Sequence, residues 1–176
     1  MKDTLTRREM VKIGLGSMAA LTIGGGRGGA EARRLHLGLV TYNVAKGWDL
    51  DTLLHLVGEA GFEGVEFRST HAHGVEPTLS PSERGEVKRK CAAAGMKQVS
   101  LGTACEFHSP DPAVVRENVE EVREWVLLAR DLGARGIKVR PNGLPEGVPV
   151  DKTLEQIGRA LTECGEIASG HGVEIW

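Results

Sequence analysis

Gly61-Phe62-Glu63-Gly64-Val65-Glu66-Phe67-Arg68 is the stretch that decides the fold. A glycine stops a helix, and four residues later an apolar residue, Val65, belongs to a short strand over Gly64 to Phe67. The same step recurs at Gly95 before Val99 and at Gly133 before Ile137. These glycines lie 34 and 38 residues apart, the period of one βα unit.

Working outward, each strand is followed by a helix with its own start signal. Leu35 to Val44 reads as strand one. Asp49 caps a helix whose apolar stripe is Leu50, Leu53, Leu54 and Val57. Ser80-Pro81-Ser82-Glu83 is a capping box opening the next helix. Gln98 to Thr103 is strand three, and Asp111-Pro112 starts the longest helix, with Val115, Val119, Val122 and Val126 inward. Gly136 to Val139 is strand four. Asp151 is expected to cap a helix with Leu154, Ile157, Leu161, Cys164 and Ala168 inward, ending at Gly170, and Val173 to Trp176 begins strand five.

Alternating strands and helices mean a parallel sheet with helices packed outside. Strand one leads into Tyr42-Asn43-Val44-Ala45-Lys46-Gly47, which is not a dinucleotide fingerprint, and no Walker lysine loop is present. Helix-to-strand connections are short. Strand-to-helix connections (Arg68 to Leu79, Ala104 to Pro110, Pro141 to Val150) are long and polar. That asymmetry favours an α/β fold of the parallel (β/α) TIM-barrel type over a doubly wound sheet, with the site on those loops.

The first 32 residues read as a separate address. Arg7-Arg8 and Lys12 precede a mild apolar run from Ile13 to Ile23, and Ala30-Glu31-Ala32 is a cleavage signal. The pattern resembles a twin-arginine signal peptide. It implies the twin-arginine export machinery as a partner and a bacterial periplasm or cell exterior as the destination. The apolar run is too short for a membrane span, so none is expected after cleavage. Residues 33–176 are the expected domain.

A net charge of −2 and 4% aromatic residues argue against a nucleic-acid partner. Cys91, Cys105 and Cys164 have no metal-ribbon spacing and give no disulfide framework. Cys91 and Cys164 read as buried hydrophobes. Cys105 reads as a half-buried packed residue, with a redox-active thiol as the alternative.

Candidate chemistry gathers at the strand ends. Glu66 and Arg68 flank Phe67, so alternation turns both inward while Val65 and Phe67 pack outward. They are either a carboxylate with its guanidinium positioning a substrate, or a structural ion pair. His71 and His73 can converge on a metal or a sugar hydroxyl if the segment is extended, or remain solvated loop histidines. Glu106 and His108 share a side, with Phe107 turned away, which suits acid–base work or a carboxylate–histidine shell. Lys138 and Arg140 alternate on strand four ahead of Asn142, and either bind an anionic or enediolate oxygen or pair with Glu66 and Glu106. The catalytic candidates are therefore Glu66, Glu106, His108 and Lys138. The substrate-binding candidates are Tyr42, Arg68, His71, His73, Arg140 and Asn142.

Gly64-Val65-Glu66-Phe67, the His71/His73 loop, Gly136-Ile137-Lys138-Val139-Arg140-Pro141-Asn142-Gly143 and Gly172-Val173-Glu174-Ile175-Trp176 together resemble the xylose isomerase-like TIM-barrel superfamily, over Leu35 to Trp176. The resemblance implies a sugar or sugar phosphate isomerase or epimerase. Such an enzyme uses a divalent metal (manganese, magnesium or zinc) and moves a proton beside a carbonyl through an enediolate. In that family the metal ligands come from the ends of strands five to eight, so none is carried onto this sequence. Only Glu66, His71 and the polar residues of strand four correspond, loosely, to site-facing positions.

A whole barrel takes ~250 residues. The chain accordingly reads as truncated after about four βα units, at the start of strand five, and inactive by itself. Two free sheet edges would invite pairing with another copy, a homo-oligomer, or aggregation. The alternatives to an enzyme are a sugar-binding barrel without turnover and a cut-short, inactive relative. A DNA-repair nuclease is poorly supported in an acidic, exported chain.

Overall fold

The computed structural model describes residues 35–176. The arginine pair, the apolar run and the Ala30-Glu31-Ala32 signal lie outside the described residues. Five strands and five helices follow one another: β1 (Gly38–Val40), α1 (Tyr42–Ala45), α2 (Leu50–Glu59), β2 (Gly64–Arg68), α3 (Pro81–Ala93), β3 (Gln98–Gly102), α4 (Pro112–Leu132), β4 (Gly136–Lys138), α5 (Val150–Ser169) and β5 (Glu174–Ile175).

All neighbouring strands pair parallel, in the order β1-β2-β3-β4-β5. A sheet built in sequence order has no switch point where the winding reverses, which separates it from the doubly wound class. It is the β/α progression of a TIM barrel. Register sets Val40 beside Glu66 and Glu66 beside Ser100, while Arg68, Gly102 and Lys138 form one row across β2, β3 and β4.

Val65, Phe67, Leu101 and Ile137 turn from the strands into a core shared with the helices, where they are at most 3% exposed. Leu53, Leu54 and Val57 of α2, Val122, Trp125 and Val126 of α4, and Ile157 and Cys164 of α5 close that core. Among the described residues no helix is long and apolar enough to cross a membrane.

The predicted start signals hold for three helices. Asp49 accepts from the Thr52 amide at 2.8 Å, Ser80 and Glu83 form the reciprocal capping box, and Asp111 accepts from the Ala113 amide at 2.8 Å. Gly133 ends α4 at φ +74°, a left-handed conformation that a Cβ would penalise.

Three expectations are corrected. Strand one stops at Val40: Thr41 is fully buried, its amide donates to the Glu66 carbonyl at 3.1 Å, and Tyr42 to Ala45 turn as one helical turn. Tyr42 and Val44 are β-prone but exposed, so packing gives them no reason to extend the strand. Asp151 is not the cap of α5: the helix begins one residue earlier, Pro149 stands at the cap without a side-chain bond, and Leu154 faces outward at 54% exposure. At the far end the helix stops at Gly170 as expected, with that glycine right-handed and Gly172 left-handed after it.

Candidate functional site

Strand-to-helix segments 41–49, 69–80, 103–111 and 139–149 all emerge at one end of the sheet. Glu66 of β2 and Lys138 of β4 form an ion pair that reaches over β3. Gly102 lies between them. A Cβ there would stand 2.5 Å from Arg68 Cδ and 2.8 Å from Glu66 Oε1, so the bare glycine is the lane in which these side chains lie. Glycine within a strand marks a close approach, and that was the sequence signal that could have found it.

A second cluster stands on the next loops. Arg140 lies 3.4 Å from Glu106, and His108 Nε2 lies 3.8 Å from the other Glu106 oxygen. Phe107 turns into the core and is fully buried. Two helix residues unnoticed in the sequence fix this segment: Asn118 accepts from the Glu106 amide at 2.7 Å, and the Gln156 amide donates to the Phe107 and Ser109 carbonyls at 2.7 and 2.9 Å. The His108 ring packs directly on the backbone of Gly143, where no side chain would fit. Asn142 is exposed beside it.

At β1, the buried Thr41 hydroxyl accepts from the Arg68 amide at 3.0 Å and meets His71 Nδ1 at 2.9 Å. Having accepted once, the hydroxyl has its proton free for His71. Burial first, then the Arg68 and Lys46 charges, lowers the His71 pKa, so we assign a neutral ring with Nε2–H as its free donor. The Arg68 guanidinium lies 5.2 Å from the centre of the Tyr42 ring.

The two histidines do not converge as an H-x-H pair. Residues 69–73 turn rather than extend, with Thr70 at φ +64°, its amide held by Glu76 Oε1 at 2.5 Å. The His73 ring goes inward, 5.0 Å from Phe67, and its Nδ1 accepts from the Val75 amide at 3.0 Å. Burial drives the His73 pKa down to about 4. It is a packed, neutral residue at 6% exposure, which removes it from the substrate-facing set. Cys105 is fully rather than half buried, and burial pushes its thiol up to about 12, against a redox-active role.

His73 carries a pH prediction. The unfolded chain takes up a proton near pH 6.5 and the folded one only near pH 4, so between these values the unfolded state holds more protons. Stability is present above pH 6.5 and lost as pH falls toward 4. Urea titrations across that range should give a shallower pH slope for His73→Asn than for the natural chain. Parallel slopes would show that His73 is not held neutral by the fold.

The described residues do not fit the divalent metal that the resemblance implies. No group of three or more His, Cys, Asp or Glu side chains among them is placed to hold one, and both inward carboxylates already hold cationic side chains.

A sequence model of the xylose isomerase-like TIM barrel matches residues 54–176. No curated protein matches it in sequence. D-psicose 3-epimerase with D-tagatose from Clostridium cellulolyticum H10 superposes with a TM-score of 0.68 at 16% identity, over 80% of this chain and 51% of that one. L-ribulose 3-epimerase does so at 0.63 and 23% identity, over 81% and 48%. A protein from Sinorhizobium meliloti 1021 does so at 0.65 and 18% identity, over 79% and 48%. At such identities the likeness is one of fold. The chain spans about half the length of these structures.

Proposed function

The chain belongs to the xylose isomerase-like TIM-barrel family, and from that premise we propose that its strand-end face binds a ketose and takes part in isomerisation or epimerisation beside the carbonyl. The observation that carries this reading is the Glu66–Lys138 pair spanning β2 to β4, on the face where Arg68 also lies. Glu66 and Lys138 orient adjacent sugar oxygens, and the ammonium stabilises the negative oxygen of an enediolate. Glu106 and His108 supply the proton-moving pair. The family's metal would supply Lewis-acid polarisation of the carbonyl, but the described residues do not fit it. Work outside the cytoplasm is part of the same proposal and rests on residues 1–32 alone.

A second reading, a sugar-binding barrel without turnover, is favoured by the occupation of both inward carboxylates by cations. One experiment separates the two. The chain is incubated in D2O with D-psicose, D-fructose, D-tagatose and L-ribulose, and binding and loss of the proton next to the carbonyl are followed by NMR. Exchange that falls ~10²-fold or more in Lys138→Met supports the enzyme. Binding without exchange selects the second reading. No binding to any ketose rejects both.

A further inference from the structure

We infer that Lys46, Arg68 and His71 form an anion subsite at the open ends of β1 and β2, taking the carboxylate or phosphate of an acidic sugar. This deepens the sugar reading above and rests on it for the word sugar, but not for the word anion.

Cations on this face divide into two kinds. Lys138 holds Glu66, and Arg140 lies 3.4 Å from Glu106. Arg68 and Lys46, by contrast, have no carboxylate within 4.0 Å among the described residues. Glu66 Oε1 borders the same Gly102 lane as Arg68, but it is engaged by Lys138.

Arg68 Nε is buried and has no hydrogen-bond partner among the described residues, a donor that their packing does not satisfy. The guanidinium is nevertheless held in place. Gly102 gives its stem room, the Tyr42 ring lies 5.2 Å from its carbon, and its backbone amide is tied to Thr41.

Lys46 and His71 are joined to this point by backbone. The Ala72 amide donates to the Lys46 carbonyl at 2.9 Å, which stitches the end of α1 to the histidine loop. Thr41 engages His71 Nδ1, leaving Nε2–H to donate outward. A planar fork, an ammonium and a neutral imidazole donor, with no competing acid bonded to any of them among the described residues, match the oxygens of a carboxylate or a phosphate. A neutral hydroxyl would leave two positive charges without a counterion.

The test uses the 176-residue chain and inorganic phosphate, at low ionic strength to limit screening. The His71 ring protons are followed by NMR through a pH titration with and without phosphate, and affinity is measured by calorimetry. Phosphate is expected to bind and to raise the His71 titration midpoint. Arg68→Gln should weaken binding at least ~10-fold and Lys46→Gln at least ~3-fold, the scale of losing one charge-assisted contact. Lys46 is exposed, so its variant decides the matter even if Arg68→Gln folds poorly.

D-gluconate and D-fructose 6-phosphate, run beside D-fructose, distinguish the two sources of the anion. Either acid outcompeting the neutral sugar supports the subsite, and the tighter one names the group. A phosphate titration that leaves His71 unmoved, or Lys46→Gln binding as tightly as the natural chain, overturns it. Failure of neutral ketoses to bind would count against the sugar reading only.

Discussion

Phe67→Ala is expected to lower the unfolding free energy by ~3–5 kcal/mol, while Glu66→Gln and Arg68→Gln, its immediate neighbours, change it by ~1 kcal/mol or less. The contrast follows from strand alternation. Phe67 is fully buried among the helices and has the His73 ring 5.0 Å away, so truncation opens a cavity in a packed layer. Glu66 and Arg68 stand on the opposite face and are partly solvated. Replacing Glu66 by its amide isostere leaves Lys138, whose side chain is 36% exposed, with water and an amide oxygen in place of a carboxylate. Urea midpoints with unchanged slopes would measure all three variants. A Phe67→Ala loss no larger than that of Glu66→Gln would mean that the two faces of β2 have been exchanged.

The second large effect is on binding. Gly102→Ala is expected to weaken phosphate and ketose binding ~10-fold or more, at a stability cost of ~1–3 kcal/mol. The added methyl would lie 2.5 Å from Arg68 Cδ, 2.8 Å from Glu66 Oε1 and 3.4 Å from Arg68 Nε, distances at which the side chains have to move. Both are displaced from the lane that lets Glu66 reach Lys138 across β3 and holds Arg68 on Tyr42. The signature is non-additivity: if Gly102 acts through Arg68, Arg68→Gln costs little further binding once Gly102→Ala is in place. Calorimetric titration of the double-mutant cycle reads this directly. Additive losses, or a Gly102→Ala chain that binds like the natural one, would show that the glycine is only a strand residue.

Much of the site's layout is legible in the sequence. Inward Glu66 and Arg68, outward Val65 and Phe67, and the shared side of Glu106 and His108 each follow from a two-residue period. His73 was misplaced because one residue, Thr70 at φ +64°, reverses the chain before the histidines, and a threonine gives no left-handed signal. Thr41, Asn118 and Gln156 carry no sequence signal, because their work is to hold other residues' backbone or rings, which no spacing records. Asp151 misled for a different reason. It is an ordinary capping type in the right neighbourhood, but Pro149 had already set the start of the helix.

The sequence by itself determined the alternation of strands two to five with the helices between them, the stops at Gly61, Gly95 and Gly133, three of the helix starts and the opposite faces of Glu66 and Arg68 against Val65 and Phe67. These are set by interactions within a few residues, where backbone sterics, capping and side-chain period act. Only the tertiary structure decided that Lys138 takes Glu66 while Arg140 takes Glu106, and that Arg68 has no acid paired to it among the described residues. Those outcomes turn on register between strands: the Glu66–Lys138 pair joins residues 72 apart, and it forms because Gly102 stands between them without a side chain.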